Sequence, residues 1–112
     1  MQELATAAHE RLPVKVIVLD NASLGMVRQQ QDMFWGGRRS AVDLGATPDW
    51  PALAAAFGVA ARETDDPWEA AGAIADTLAE PGPALLRIGI DPDSDCLPMF
   101  RPGGAAREMI GT

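Results

Sequence analysis

A single cysteine, Cys96, stands among the 112 residues. No disulfide can close within the chain, and no cysteine metal cluster can form inside it. Cys96 reads as a small buried or tail residue and not as a nucleophile. Histidine is equally scarce: His9 is the only one, and at a surface or packing position of a first helix it is given no catalytic role. Basic residues are outnumbered, 9 Lys and Arg against 16 Asp and Glu, for a net charge of −7. Without a basic patch or stripe, nucleic acid is excluded as a partner. The acidic balance suits a cytoplasmic protein. No apolar run approaches the length of a bilayer span, and the first residues lack the apolar core of a signal peptide, so no membrane role is expected. Internal repeats and low-complexity tracts are missing too.

What remains is globular in composition, 47% hydrophobic and 22% charged, and at this length forms at most one domain. The stretch that organises it runs from Pro13 to Gln31. Val14, Val16, Ile17, Val18 and Leu19, interrupted only by Lys15, have the profile of a central strand buried on both faces. The run stops at Asp20, Asn21, Ala22 and Ser23. Ser23 is a plausible N-cap, and Leu24, Val27, Gln31 and Phe34 follow at helical spacing. In open α/β sheets such a turn lies where ligands usually bind. A helix N-terminus there offers N–H groups to a phosphate, and Gly25 lets that group approach the backbone. Asn21 adds a neutral oxygen suited to magnesium. Asp-Asn is also common turn chemistry that binds nothing.

Elsewhere the alternation continues. Leu4, Ala7 and Ala8 mark a short first helix without a cap before Glu3. The helix from Leu24 is expected to end near Met33 or Phe34, before Gly36 and Gly37. Residues 36–48 read as a loop, in which the pair Arg38 and Arg39 is ordinarily just solvated. Asp49 caps a helix with Pro51 in its first turn, whose apolar stripe is Trp50, Leu53, Ala54 and Phe57. Residues 59–63 suggest a minor strand. Asp66 caps the next helix, with Glu69 placed for a capping box and Trp68, Ala71, Ile74, Ala75 and Leu78 as its apolar side. Residues 84–90 form the third strand candidate. Strands alternating with helices imply an α/β fold with a parallel sheet and flanking helices. From Asp91 onward prolines and glycines dominate, the pattern of a tail lying over something.

Several separated motifs carry a resemblance. Glu3-Leu4-Ala5-Thr6-Ala7, Leu12-Pro13-Val14-Lys15-Val16, Asn21, and Leu24-Gly25-Met26-Val27-Arg28-Gln29 closely resemble the large catalytic subunit of acetolactate synthase (acetohydroxyacid synthase). So do Phe34-Trp35, Gly37-Arg38, Pro48-Asp49-Trp50, Gly82-Pro83-Ala84-Leu85-Leu86, Leu97-Pro98-Met99 and Glu108-Met109-Ile110. The likeness covers nearly the whole chain and implies the C-terminal part of a thiamine-diphosphate-binding fold, with residues 1–90 as a partial domain and 91–112 as an arm covering the active site. It implies thiamine diphosphate and magnesium as cofactors, and FAD only in the full-length enzyme. The implied reaction, in branched-chain amino acid biosynthesis, condenses two 2-keto acids, pyruvate or 2-ketobutyrate, with loss of carbon dioxide. The implied partners are a homo-oligomer of full-length subunits and a small regulatory subunit.

Residue by residue, the resemblance places Asn21 and the Ser23 carbonyl on magnesium. Asn21, Ser23, Leu24, Gly25 and Met26 fall at the cofactor, with Met26 the catalytic residue facing the pocket. The family's diphosphate signature opens with Gly-Asp-Gly, which would fall before Met1, and closes with Asn-Asn, here Asp20-Asn21. The opening aspartate is the other side chain on the metal, so this chain by itself is expected to bind the cofactor weakly. Gln30 stands where the family usually has a tryptophan beside the acceptor, which marks Gln30 as a substrate-pocket residue. Two alternatives stay open: another thiamine-diphosphate enzyme (glyoxylate carboligase, decarboxylase or lyase), and a truncated, non-catalytic remnant that associates with intact subunits.

Overall fold

The computed structural model describes residues 2–111. These group into two compact units. The first holds the residues up to Asp20 together with Thr47–Ile90, and the second holds Asn21–Ala46 and the residues from Asp91 on.

The first unit is an α/β layer structure. Its elements are α1 (Glu3–His9), β1 (Lys15–Asp20), α3 (Trp50–Ala56), β2 (Ala60–Thr64), α4 (Pro67–Ala79) and β3 (Ala84–Gly89); α2 (Gly25–Phe34) belongs to the second unit. The three strands form a parallel sheet in the order β1-β3-β2, with Ala84 opposite both Lys15 and Ala60. On one face, Leu4 of α1, Ala54 of α3, Val59 and Leu85 of β3 form the core, with Val16, Trp50, Phe57 and Ala61 packed against it.

The sheet order overturns one expectation. β3 is the central strand, and its first three residues are buried, whereas β1 pairs on one side only. Ile17 is 41% exposed and Leu19 63%. An apolar run reports that a strand can be buried and not where it stands in the order. An edge of this kind promotes association. We expect the purified chain to self-associate as concentration rises, and Ile17→Lys to suppress that association in light scattering. A wild-type chain that stays monomeric at high concentration would show that the open strand is harmless.

Both aspartate caps form as the sequence indicates: Asp49 Oδ1 accepts from Ala52 N at 2.8 Å and Asp66 Oδ1 from Trp68 N at 2.8 Å. Glu69, however, does not close a capping box. Its Oε2 accepts from Thr64 Oγ1 at 3.1 Å, and the same hydroxyl receives Asp66 N. The inward side of α4 also differs from the expected one. Thr77 is fully buried, its hydroxyl donating to Ala73 O at 2.7 Å, while Trp68 and Leu78 are 91% and 59% exposed. The helix has two apolar sides, and the smaller one seats closer to the sheet.

Asp20 ends β1 in a polar cluster. Its Oδ2 accepts from Trp50 Nε1 at 3.1 Å and from Arg87 Nε at 3.2 Å, and Arg87 Nη1 pairs with Asp65. Burial weighs against the Arg87 charge, yet its hydrogen bonds to Asp65 and Asp20 hold its pKa above the usual arginine value. Lys15 at the other end of β1 donates to the carbonyls of Glu80 (2.8 Å) and Gly82 (2.5 Å), which pins the turn between α4 and β3.

Candidate functional site

The second unit begins with the turn that the sequence singles out. Asn21 Oδ1 accepts the Ser23 N–H at 3.1 Å, and Ala22 between them sits in the left-handed region at φ 50°. A short antiparallel pairing from the following loop holds this turn: Leu24 N donates to Val42 O (2.8 Å) and Leu44 N to Ala22 O (3.0 Å). Val42 is buried, the anchor of a segment whose composition reads only as loop. Ser23 is not the N-cap. Its hydroxyl donates to Val42 O at 3.0 Å, and the cap position falls to Leu24, which makes no side-chain capping bond. The hydroxyl is drawn away because the loop carbonyl lies within its reach.

Gly25, the first residue of α2, has a tertiary reason to be glycine. A Cβ there would lie 2.5 Å from Asn21 Nδ2. The small residue leaves room for the Asn21 amide, a different close approach from the phosphate contact that spacing suggests.

Two arginines flank the turn. Arg28 is 4% exposed; its Nη1 donates to Asp32 Oδ2 (3.0 Å), and its Nη2 donates to Asp95 Oδ1 (2.7 Å) and Ser94 O (2.9 Å). Its buried Nε has no hydrogen-bond partner. The hydrogen bond to Asp95, reinforced by Asp32, raises the Arg28 pKa above the ordinary arginine value. Arg39 is not merely solvated, since it takes Asp32 in a two-point pair, both bonds 2.9 Å, and also meets Asp93 at 3.0 Å. That Arg39 pairing, with Arg28 as a further partner, holds the Asp32 carboxyl below its usual pKa. Next to Arg28 on α2, Gln29 is 1% exposed; its Nε2 donates to Cys96 O (3.0 Å) and its Oε1 accepts from Cys96 N (2.9 Å). These two buried polar side chains bind residues 94–96 to α2. The sequence shows them only as members of a motif, because a helical position gives no sign that a segment more than sixty residues later supplies its partners.

Asn21, Ser23, Arg28, Arg39, Val42 and Asp43 line one concavity of about 430 Å³. Leu24 and Met26 are exposed beside it at the start of α2, Met26 by 59%. Gln30 lies on another side of α2, in a second concavity of about 320 Å³ with Val27, Gln31, Trp35 and Arg38. Asn21 and Ser23 are therefore brought together, and Gln30 is set apart from them.

The comparison with known proteins decides the family. The model of the thiamine pyrophosphate enzyme C-terminal TPP-binding domain matches residues 1–88. The chain belongs to this family. Relatives of known name are the acetolactate synthase large subunit of Pyropia yezoensis, 41% identical over 99% of this chain, and acetolactate synthase isozyme 2 large subunit of Escherichia coli K12, 37% identical over 98%. A probable acetolactate synthase large subunit of Methanocaldococcus jannaschii is 39% identical over 97%. The chain spans about a fifth of the length of these relatives, 18–20% of each.

A site for thiamine pyrophosphate must receive a diphosphate. Arg28 and Arg39 line the concavity, but Asp32, Asp93 and Asp95 pair with them, so they offer a diphosphate no unpaired charge. For the metal, the Asn21 amide oxygen keeps a second lone pair beside the Ser23 N–H bond. Among the described residues no group of three or more His, Cys, Asp or Glu side chains can hold a metal ion. A hard cation at Asn21 needs most of its oxygens from the diphosphate, from water and from outside this turn. Among the described residues no helix is long and apolar enough to cross a membrane.

Proposed function

We propose that this chain forms one wall of the thiamine-diphosphate site of a cytoplasmic acetolactate-synthase-like transferase that joins two 2-keto acids with loss of carbon dioxide. The observation that supports it most is the placement of Asn21 and Ser23 in one concavity with the buried Arg28, in a chain matched to the family along residues 1–88. When bound, the cofactor supplies the carbanion chemistry of decarboxylation and carbon–carbon bond formation. Asn21 would ligate magnesium through Oδ1, with the Ser23 carbonyl beside it. Leu24, Gly25 and Met26 would face the cofactor as α2 opens, with Met26 the catalytic contact at the reacting end. Gln30 belongs to the acceptor side. Residues 91–112 serve as a C-terminal arm over the site. Full-length subunits assembled as a homo-oligomer, with a small regulatory subunit and FAD where the enzyme carries it, supply what one fifth of the length cannot.

The test is a titration of the chain with thiamine diphosphate and magnesium, followed residue by residue by heteronuclear NMR. Signals of Asn21, Ser23 and Gly25 should move, with half-saturation at about millimolar concentration, and Asn21→Ala should abolish the magnesium dependence. The weakness follows from a metal position to which this turn gives one neutral side-chain oxygen and one carbonyl. Cofactor-dependent shifts confined to other parts of the chain would refute the assignment, and micromolar affinity would refute a metal position built on two neutral oxygens.

A further inference from the structure

Helix α4 carries a second apolar side that the fold leaves uncovered. Thr77 is the buried residue of the helix, and on the side turned away from it Trp68, Ala71, Ala75 and Leu78 all stand exposed. The helical repeat aligns these four in one stripe about 15 Å long. Trp68 at its head is 91% exposed, so an indole rests on almost nothing of the chain's own. Single exposed hydrophobics are ordinary, but a continuous stripe headed by a free tryptophan has the composition of a contact surface. One edge of the stripe is charged, and with a single sign. Glu69 and Asp76 run along that edge and, with Glu63 of β2, line a concavity of about 520 Å³. Arg62 on the same concavity gives its charge to Glu80 at 2.8 Å. Glu69 accepts only the neutral Thr64 hydroxyl, and among the described residues neither Glu63 nor Asp76 has an ion-pair partner.

We propose that this face of α4 is the docking surface for an amphipathic helix of a partner protein, one whose apolar side is edged with lysine or arginine. The occupant's apolar residues cover Trp68, Ala71, Ala75 and Leu78, and its cations enter the concavity of Glu63, Glu69 and Asp76. Charge decides between this occupant and a second copy of the chain. Two α4 helices packed antiparallel set Glu69 and Asp76 against the same two carboxylates of the other copy. Packed parallel, they set these carboxylates against Ala71 and Leu78. Both arrangements desolvate charges that nothing pairs, whereas a basic-edged helix neutralises them as it covers the stripe. An anionic lipid surface is repelled by the same three carboxylates.

The probe is a synthetic amphipathic helix of about twenty residues, with leucines along one side and lysines on both edges. It is titrated into the whole chain while the Trp68 indole and Leu78 methyl signals are followed by NMR. Both signals should move, with half-saturation on the order of 100 micromolar. The counterpart peptide with glutamate in place of lysine should bind at least about tenfold more weakly. Trp68→Glu should weaken the lysine peptide by about tenfold or more. That substitution adds a negative charge, so an attraction by charge alone would strengthen and not weaken. Glu69→Gln combined with Asp76→Asn should weaken binding about three- to tenfold and flatten its salt dependence. Unchanged β3 amide signals show that each variant is folded. Still signals at Trp68 and Leu78, equal binding of the two peptides, or full affinity in Trp68→Glu overturns the proposal. So do the other occupants: phosphatidylcholine vesicles that move the two signals as the peptide does, or a self-association that Trp68→Glu abolishes and Ile17→Lys leaves intact.

Discussion

Leu85→Ala should be the most damaging single change in the first unit, costing about 3–5 kcal/mol. Leu85 is 1% exposed, on the central strand, and shares the core with Leu4, Ala54 and Val59. Truncation removes its transfer free energy and leaves a cavity that these neighbours fill poorly. Ala54 has no side chain to extend, and Leu4 and Val59 are held by a helix and by the start of a strand. A typical domain has roughly 5–15 kcal/mol in total, so a three-stranded unit with an open edge can hardly absorb the loss. In urea the midpoint should fall by more than about 1 M. Ile17→Ala, at the exposed edge, is the control and should cost less than about 1 kcal/mol, since a side chain 41% exposed has fewer contacts to lose. Equal losses at the two positions would mean that the core is not where the buried contacts place it.

Gln29→Ala should release the C-terminal segment from α2 while leaving the sheet folded. The two hydrogen bonds between Gln29 and the Cys96 backbone satisfy one donor and one acceptor at a side chain only 1% exposed. Without the amide, both Cys96 groups lose their partner, at about 2–3 kcal/mol for the pair. The segment regains those bonds only by opening to water. Exchange of the Cys96 amide hydrogen should therefore speed up by about thirty- to a hundredfold. Amides of β3 should keep their protection. Gln31→Ala, whose amide holds Ser40 at an exposed site, should leave Cys96 unchanged. Uniform acceleration throughout the chain would show that Gln29 supports the fold as a whole and not this one attachment. The second hook, Arg28 to Ser94 and Asp95, limits the release to local opening.

Much of this protein was legible in its sequence because the deciding signals are local. The alternation of apolar runs with helical patterns was enough for a parallel α/β sheet, since strands separated by helices have few other ways to cover both faces. Asp49 and Asp66 cap their helices because the carboxylate of an N-cap needs only the N–H groups two or three residues on. The turn at Asn21 closes on Ser23 for the same reason. Family membership was also readable, from motifs spread in order along the chain.

Tertiary structure alone decided the rest. Residues 14–19 and 84–90 are similar apolar runs, and which of them is central depends on which strand finds a partner on each side; the order β1-β3-β2 settles it. Thr77, and not Leu78 or Trp68, is buried in α4 because closeness to the sheet favours the smaller side. Ser23 gives its hydroxyl to Val42, and Arg28 and Gln29 find their partners at residues 94–96. Each of these depends on groups brought together across long stretches of chain. Local spacing carries no record of them, because a side chain's free energy in the folded protein is set by what the fold places beside it.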